Sequence, residues 1–136
     1  MFWADEFADQ IAERFHKEIA EGTPLIIRDE KTLSGRVHIG SVRGIVIHGL
    51  IAQILSEKKI KNQFLFELND NDPMDGLPVY VDQEKYAAHM GKPLFAVPGI
   101  AEGDKDFTTG FGEEIKEAVA PMGLPIEWYH LRPLYK

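Results

Sequence analysis

The spacing of apolar residues changes several times along the chain, and each change marks a predicted element of secondary structure. Near the N-terminus, apolar side chains recur every four positions, at Phe7, Ile11, Phe15 and Ile19. This period predicts an amphipathic helix over residues 3–21, and Gly22 is a suitable residue to end it. Residues 25–27 then form an uninterrupted apolar run, which is typical of a strand buried on both faces in a parallel sheet.

The remainder of the chain is predicted to alternate between helices and strands. After a loop over residues 29–37, the predicted elements are a helix over 39–58, a strand over 64–68, a polar loop over 69–82, a short helix over 83–90, a helix over 107–119 and a strand over 126–131. Strands that alternate with helices predict right-handed crossovers in a doubly wound α/β layer. Ligands of such a layer bind beyond the C-terminal ends of the strands.

Composition excludes several classes of protein. The chain has 136 residues, 44% of them hydrophobic, which suffices for one domain with a core. It has no cysteine, which excludes disulfides and thiolate zinc sites. The net charge of -7 argues against a nonspecific binder of nucleic-acid backbones, so any contact with RNA must be local. The cationic residues available for such a contact are Lys58, Lys59, Lys61, Arg132 and Lys136.

The expected location follows from features that the sequence lacks. No uninterrupted apolar run approaches the roughly 20 residues that a membrane-spanning helix needs. The N-terminus mixes Asp5, Glu6 and Asp9 with its aromatic residues, unlike a signal peptide. We therefore expect a soluble cytoplasmic protein.

The candidate chemistry lies in the loop that joins the first strand to the long helix. The free N–H groups and the positive dipole end of a helix N-terminus favour phosphate. Gly35 and Gly40 permit the close approach of a ligand, and His38 could donate a hydrogen bond to a phosphate oxygen. Further donors are the hydroxyl groups of Thr32, Ser34 and Ser41. Neither GxGxxG nor GxxxxGK[ST] occurs, so the usual nucleotide fingerprints do not apply.

Residues 38–41, His-Ile-Gly-Ser, resemble the HIGH motif of class I aminoacyl-tRNA synthetases. Further segments make the match specific to the class I lysyl-tRNA synthetases, and they are Trp3-Ala4-Asp5, residues 32–41, Asp70-Asn71-Asp72, residues 86–93, Val97-Pro98 and Leu134-Tyr135-Lys136. The resemblance implies an α/β fold, a three-layer, mostly parallel Rossmann-like (HUP-type) nucleotide-binding half-domain. Residues 1–136 would form one domain, the N-terminal half of the catalytic domain.

The resemblance also implies a reaction, the ATP-dependent activation of lysine and its transfer to tRNA(Lys). The implied catalytic residues are His38 and Ser41. The implied ATP-binding residues are Thr32, Ser34, Gly35, His38, Gly40 and Ser41. The implied lysine-binding residues are Glu30, Thr32, Asp70 and Asp72. Magnesium would accompany ATP, and no metal bound by the protein itself is expected.

Three positions depart from the family pattern. Ser41 occupies the position of the motif's second histidine, and we expect it to contact a phosphate or the backbone. Leu33 stands where proline is usual, which is expected to loosen the loop. Glu30 stands where many relatives have glycine, and its carboxylate could either meet the lysine ammonium or block the pocket.

The sequence contains no KMSKS-type loop, the second signature of the class. We therefore expect a fragment without the KMSKS half and the anticodon-binding domain, inactive alone and partnered by the remaining part of a synthetase. Two other functions stay open: a small HIGH-motif adenylyltransferase and a noncatalytic nucleotide- or tRNA-binding module. For the Asp70–Asp75 segment, the plainer interpretation is a solvated turn. His48 is expected to be a packed or capping histidine, and Phe64, Phe66, Phe107 and Phe111 are expected in the core.

Overall fold

A computed structural model describes residues 2–134, so Tyr135 and Lys136, which carry part of the predicted resemblance and of the cationic set, lie outside the described residues. The strands are β1 (Leu25–Thr32), β2 (Asn62–Asn69) and β3 (Ile126–His130). The helices are α1 (Trp3–Arg14), α2 (His16–Ala20), α3 (Ile39–Glu57), α4 (Gln83–Ala87) and α5 (Thr109–Val119). Short 3-10 turns cover Leu94–Ala96, Ala120–Met122 and Arg132–Leu134.

The three strands form one parallel sheet in the order β1-β2-β3. α3 connects β1 to β2 and α5 connects β2 to β3, so the predicted α/β class and parallel crossovers are confirmed. The register pairs Thr32 with Asn69 and Leu68 with His130. The C-terminal ends of all three strands therefore meet at one edge of the sheet, where α3 begins.

The core lies between one face of the sheet and the helices α3 and α5. Phe64, Phe66 and Leu68 of β2 point into it and are at most 1% exposed. They pack in one cluster whose members include Ile45 and Ala52 of α3, Phe111 and Ile115 of α5, and Phe107. The expected core role of the phenylalanines is thus confirmed.

The opposite face of the sheet is not covered by any helix of residues 2–134. Ile26 on this face is 50% exposed, and burial alternates along β1 until its last two residues, which are both half-buried. The prediction of a short strand buried on both faces is therefore wrong: β1 is an eight-residue edge strand that extends into the predicted loop.

The N-terminal helical segment is interrupted, whereas the period predicted one helix over residues 3–21. Phe15 leaves helical geometry, with φ -105° and ψ 26°, and separates α1 from α2. Ala4 and Ala8 of α1 are fully buried in a second cluster with Ile51 and Leu55 of α3. α2 buries none of its residues, so packing against α3 stabilises α1 but not α2. Gly22 follows in the left-handed region, with φ 77°, as expected of a residue after a helix.

α3 is the one described helix that is long and apolar enough to cross a membrane by length and composition. Core helices pass the same test. α3 carries Arg43 and His48, and it packs against α1, β1 and β2.

Candidate functional site

Leu33 anchors the start of the loop between β1 and α3. Its side chain is fully buried, and its N–H donates to the carbonyl oxygen of Asn69 at 3.0 Å. This bond extends the pairing of β1 with β2 by one residue, and a proline could not make it because proline has no N–H. The expectation that Leu33 loosens the loop is therefore wrong.

Two side chains from elsewhere in the chain hold the middle of the loop. The Tyr80 hydroxyl accepts a hydrogen bond from the Arg36 N–H at 2.8 Å. A Cβ atom at Gly35 would lie 3.2 Å from the same hydroxyl, so glycine allows this close approach. The Glu114 carboxylate of α5 accepts from the Arg36 side chain at 2.9 Å and from the Val37 N–H at 3.1 Å. Sequence reasoning missed Tyr80 and Glu114, because neither lies near the motif in the chain.

His38 is the N-cap residue of α3. Its backbone is extended, with φ -139° and ψ 169°, and its side chain makes no capping hydrogen bond. The imidazole is exposed and lies over the start of the helix. Its Cε1 and Nδ1 atoms are so close to Gly40 that a Cβ atom there would lie 3.0 Å from both. Ser41 is half-buried, and its N–H donates to the His38 carbonyl oxygen at 2.9 Å. The first turn of α3 therefore opens to solvent with a free imidazole beside it.

Thr32 and Asp72 meet although they are 40 residues apart. The Thr32 hydroxyl donates to the Asp72 carboxylate at 2.6 Å. Asn69 sets the turn that carries Asp72, since its side-chain oxygen accepts from the N–H groups of Asn71 at 3.1 Å and Asp72 at 3.3 Å. The sequence predicted Asp72 at the end of the second strand and Thr32 in the loop after the first, and the parallel register brings the two together.

Asp70 points away from this pair. It is 2% exposed, and its carboxylate accepts from the Arg132 N–H at 2.9 Å and contacts His130 Nδ1 at 3.2 Å. These contacts join the end of β2 to the end of β3. Asp70 and Asp72 thus face different partners, and neither is an unpartnered side chain of a solvated turn.

Glu30 lies in an acidic group on the uncovered face of the sheet. It pairs in register with Glu67, which is 7% exposed. Burial raises the pKa of Glu30, and the neighbouring carboxylates of Glu67 and Asp72 raise it further. A cavity of about 380 Å³ adjoins these residues and is lined by Arg28, Asp29, Glu30, Glu67 and Tyr129.

Tyr129 and Arg28 hold Glu67 in this cavity. The Tyr129 hydroxyl donates to Glu67 at 2.7 Å and accepts from the Arg28 guanidinium. Burial raises the pKa of Tyr129, and its bond to Glu67 adds to the effect, so the phenol remains a donor at neutral pH. Sequence reasoning missed all three residues. A glutamate inside the apolar run of β2 was the signal that could have revealed Glu67.

His48 has a structural role, as expected. Its Nδ1 atom lies 2.9 Å from the Asp29 carboxylate, and its ring meets Phe64 edge-on with centroids 6.1 Å apart. Gly44 makes room for Asp29, since a Cβ atom there would clash with its Oδ2 atom. This contact ties β1 to α3 below the loop.

Within residues 2–134, no group of three or more His, Asp or Glu side chains has the arrangement of a metal site. A second cavity, of about 300 Å³, lies behind the loop. Its lining includes the aromatic and apolar side chains of Tyr80, Ile100, Phe107 and Phe111, together with Arg36 and Glu114.

A parallel sheet whose strands are joined by helices defines the α/β class, and domains of this class bind ligands at the C-terminal strand ends, where His38 lies exposed. Comparison with known proteins narrows the class. A family model described as tRNA synthetases class I (K) matches residues 1–136. The chain belongs to this family of class I aminoacyl-tRNA synthetases.

Individual relatives agree with the family model. The lysine--tRNA ligase of Methanosarcina barkeri (strain Fusaro) is 26% identical over 135 residues, which are 98% of this chain and 24% of that protein. That of Pyrococcus horikoshii is 25% identical over 134 residues, 98% of this chain and 25% of that protein. That of Streptomyces coelicolor is 25% identical over 129 residues, which are 92% of this chain and 22% of that protein. The chain thus spans about a quarter of the length of these relatives.

Proposed function

We propose that this chain forms the part of a lysine--tRNA ligase that binds ATP and lysine. In the reaction, a carboxylate oxygen of lysine attacks the α-phosphorus of ATP, the bond to the β-phosphate oxygen breaks, and lysyl-adenylate and pyrophosphate result. A hydroxyl group at the 3′ end of the tRNA then displaces AMP. Such a reaction needs no covalent nucleophile from the protein, because positioning and charge stabilisation accelerate it. The observation that carries the proposal is the exposed His38 at the start of α3, in a chain of this family.

The ATP phosphates are assigned to the first turn of α3. Its unpaired N–H groups and dipole attract anions. His38 would donate to a phosphate oxygen, and Gly40 lets the imidazole and the ligand approach the backbone. Ser41 adds a hydroxyl group, and the remaining contacts of this proposal are Thr32, Ser34 and Gly35. Magnesium would arrive with ATP and keep part of its water shell.

The lysine ammonium is assigned to the carboxylates at the ends of β1 and β2. Asp72 is held by Thr32, and Glu30 lies close enough to Asp72 for their charges to interact. A lysine ammonium between them would gain charge-assisted hydrogen bonds. Asp70 already has two partners, so it contributes long-range charge rather than contact.

The proposal extends to partners. tRNA would be bound mainly by regions that the relatives have beyond the matched quarter, and the remaining part of a synthetase would complete the site. Such a protein would act in the cytoplasm.

Titration of the chain with MgATP, followed by NMR shifts of the α3 amides, tests the ATP site. Shifts at residues 38–42 that disappear in His38→Ala support it. His16→Ala is the matched control, because His16 is an exposed histidine whose described contact is with Glu13. Unchanged shifts in His38→Ala contradict the assignment.

ATP–pyrophosphate exchange with each of the twenty amino acids tests the substrate, in a longer chain that contains these residues. Exchange that depends on lysine and is lost in His38→Ala is expected. Exchange with another amino acid overturns the assigned substrate. Nucleotide binding without exchange by any amino acid indicates a noncatalytic module instead.

A further inference from the structure

Glu114 is the side chain that connects α5 to the residues before His38. Its carboxylate accepts hydrogen bonds from Arg36 Nε at 2.9 Å and from the Val37 N–H at 3.1 Å. It also forms an ion pair with Arg36 Nη2 at 2.9 Å. The Arg36 N–H is held separately by the Tyr80 hydroxyl. Two consecutive backbone donors are therefore fixed by side chains that lie 44 and 77 residues away.

This contact holds the residues through which the chain enters α3. Val37 precedes the N-cap residue, so the angle of its peptide plane sets where the His38 backbone and imidazole lie. The His38 side chain has no capping hydrogen bond of its own to hold it. Its position therefore depends on the peptide units before it and on Gly40 after it.

The charges around Glu114 favour its ionised form. Burial opposes ionisation, but the Val37 N–H and the Arg36 guanidinium outweigh it and lower the pKa of Glu114, with Lys31 adding a smaller contribution. The charged and titratable side chains that face Glu114 from other elements are Arg36 and Tyr80 in the loops, Lys31 on β1, and Asp104, which lines the same cavity. On α5 itself, Glu113 and Lys116 pair with each other at 2.9 Å. The carboxylate is thus an acceptor at neutral pH.

We propose that Glu114 is a positioning residue for nucleotide binding, which holds residues 36 and 37 so that His38 faces the phosphates. The inference rests on the proposed function for its ligand, but the contact itself can be measured without ATP. Glu114 touches no substrate in this arrangement and acts through Val37 and His38.

The test combines amide hydrogen exchange with MgATP titration of the chain. In Glu114→Gln, which keeps the shape but loses the charge, protection of the Val37 amide should fall roughly tenfold or more, because a charge-assisted bond is replaced by a neutral one. MgATP affinity should fall about three- to tenfold, while circular dichroism stays unchanged. Glu117→Gln is the matched control, since Glu117 is an exposed glutamate on the same helix.

Glu114→Asp and a pH series of the unaltered chain cover the case in which Glu114→Gln does not fold. Glu114→Asp keeps the charge on a shorter arm, so intermediate protection is expected. In the unaltered chain, the Val37 protection factor should decrease as pH falls through the lowered pKa, below the ordinary value of 4.5.

Each negative result contradicts a different part of the proposal. Full Val37 protection in Glu114→Gln overturns the contact. Lost protection with unchanged MgATP affinity overturns the positioning role. Intact protection in the unaltered chain without any MgATP response at residues 38–42 overturns the proposed ATP site instead.

Discussion

Replacing Gly40 by alanine should separate stability from nucleotide binding, because the two respond in opposite directions. Gly40 is the second residue of α3 and is exposed. In a helix, alanine is favoured over glycine by up to about 1 kcal/mol. The new methyl group would lie 3.0 Å from the Cε1 and Nδ1 atoms of His38, which forces the ring to shift by a few tenths of an ångström or to rotate away.

The size of the binding defect follows from the bond that His38 is proposed to make. A hydrogen bond to a charged group contributes about 1.5–3 kcal/mol. Its loss should weaken MgATP binding by roughly 10- to 150-fold. Gly40→Ala should therefore unfold at the same or a higher temperature than the unaltered chain and bind MgATP more weakly.

Gly110→Ala is the matched control. Gly110 is the second residue of α5, and a Cβ atom there meets no atom within 4 Å. It should show the same small gain in stability with no change in binding. Thermal unfolding by circular dichroism and an NMR titration with MgATP measure both quantities. Equal binding by Gly40→Ala and Gly110→Ala would refute the placement of the phosphates against His38.

Three further changes address other parts of the site. Asp70→Ala removes a buried acceptor from Arg132 N–H, so the free energy of unfolding in urea should fall by about 1–3 kcal/mol, and no loss would contradict the assigned link between β2 and β3. Leu33→Ala should cost about 2–5 kcal/mol in the same assay, because the side chain is fully buried, whereas a mobile loop would tolerate it. Glu30→Gln should stabilise the chain near pH 7: the folded pKa of Glu30 is raised, so wild-type stability falls as pH rises from the ordinary value of 4.5 through the raised one. The gain should vanish in thermal melts below pH 4.5, and a gain independent of pH would contradict it.

The sequence predicted the elements that depend on local periodicity. α3, β2, α5 and β3 were all expected close to their observed ends, because each has a long apolar pattern or a clear glycine or proline limit. The prediction for β1 is wrong because an apolar run of three residues does not show whether a strand is central or at an edge. The interruption at Phe15 was not predicted either, since α1 and α2 share one apolar period and differ only in what they pack against.

For the site, the motif located the residues that are contiguous in the chain. His38, Gly40 and Ser41 could be placed at a helix start from their order alone. Glu114, Tyr80 and Tyr129 could not, because their contacts depend on how loops and strands far apart in the chain are packed. The pairing of Thr32 with Asp72 lies between these cases, since the parallel sheet brings both to one edge but only the structure shows the hydrogen bond.

The two roles left open for Glu30 have different geometric requirements. To block the pocket, the Glu30 side chain would have to fill the space that a ligand needs. It lies instead along the wall of a cavity of about 380 Å³, near Glu67 and Asp72. Burial raises the pKa of Glu30, and the neighbouring carboxylates of Glu67 and Asp72 raise it further. An ammonium group placed in the cavity, as the proposed lysine site requires, would add to the Arg28 guanidinium, which lies 3.4 Å from Glu67, in offsetting the repulsion among these carboxylates.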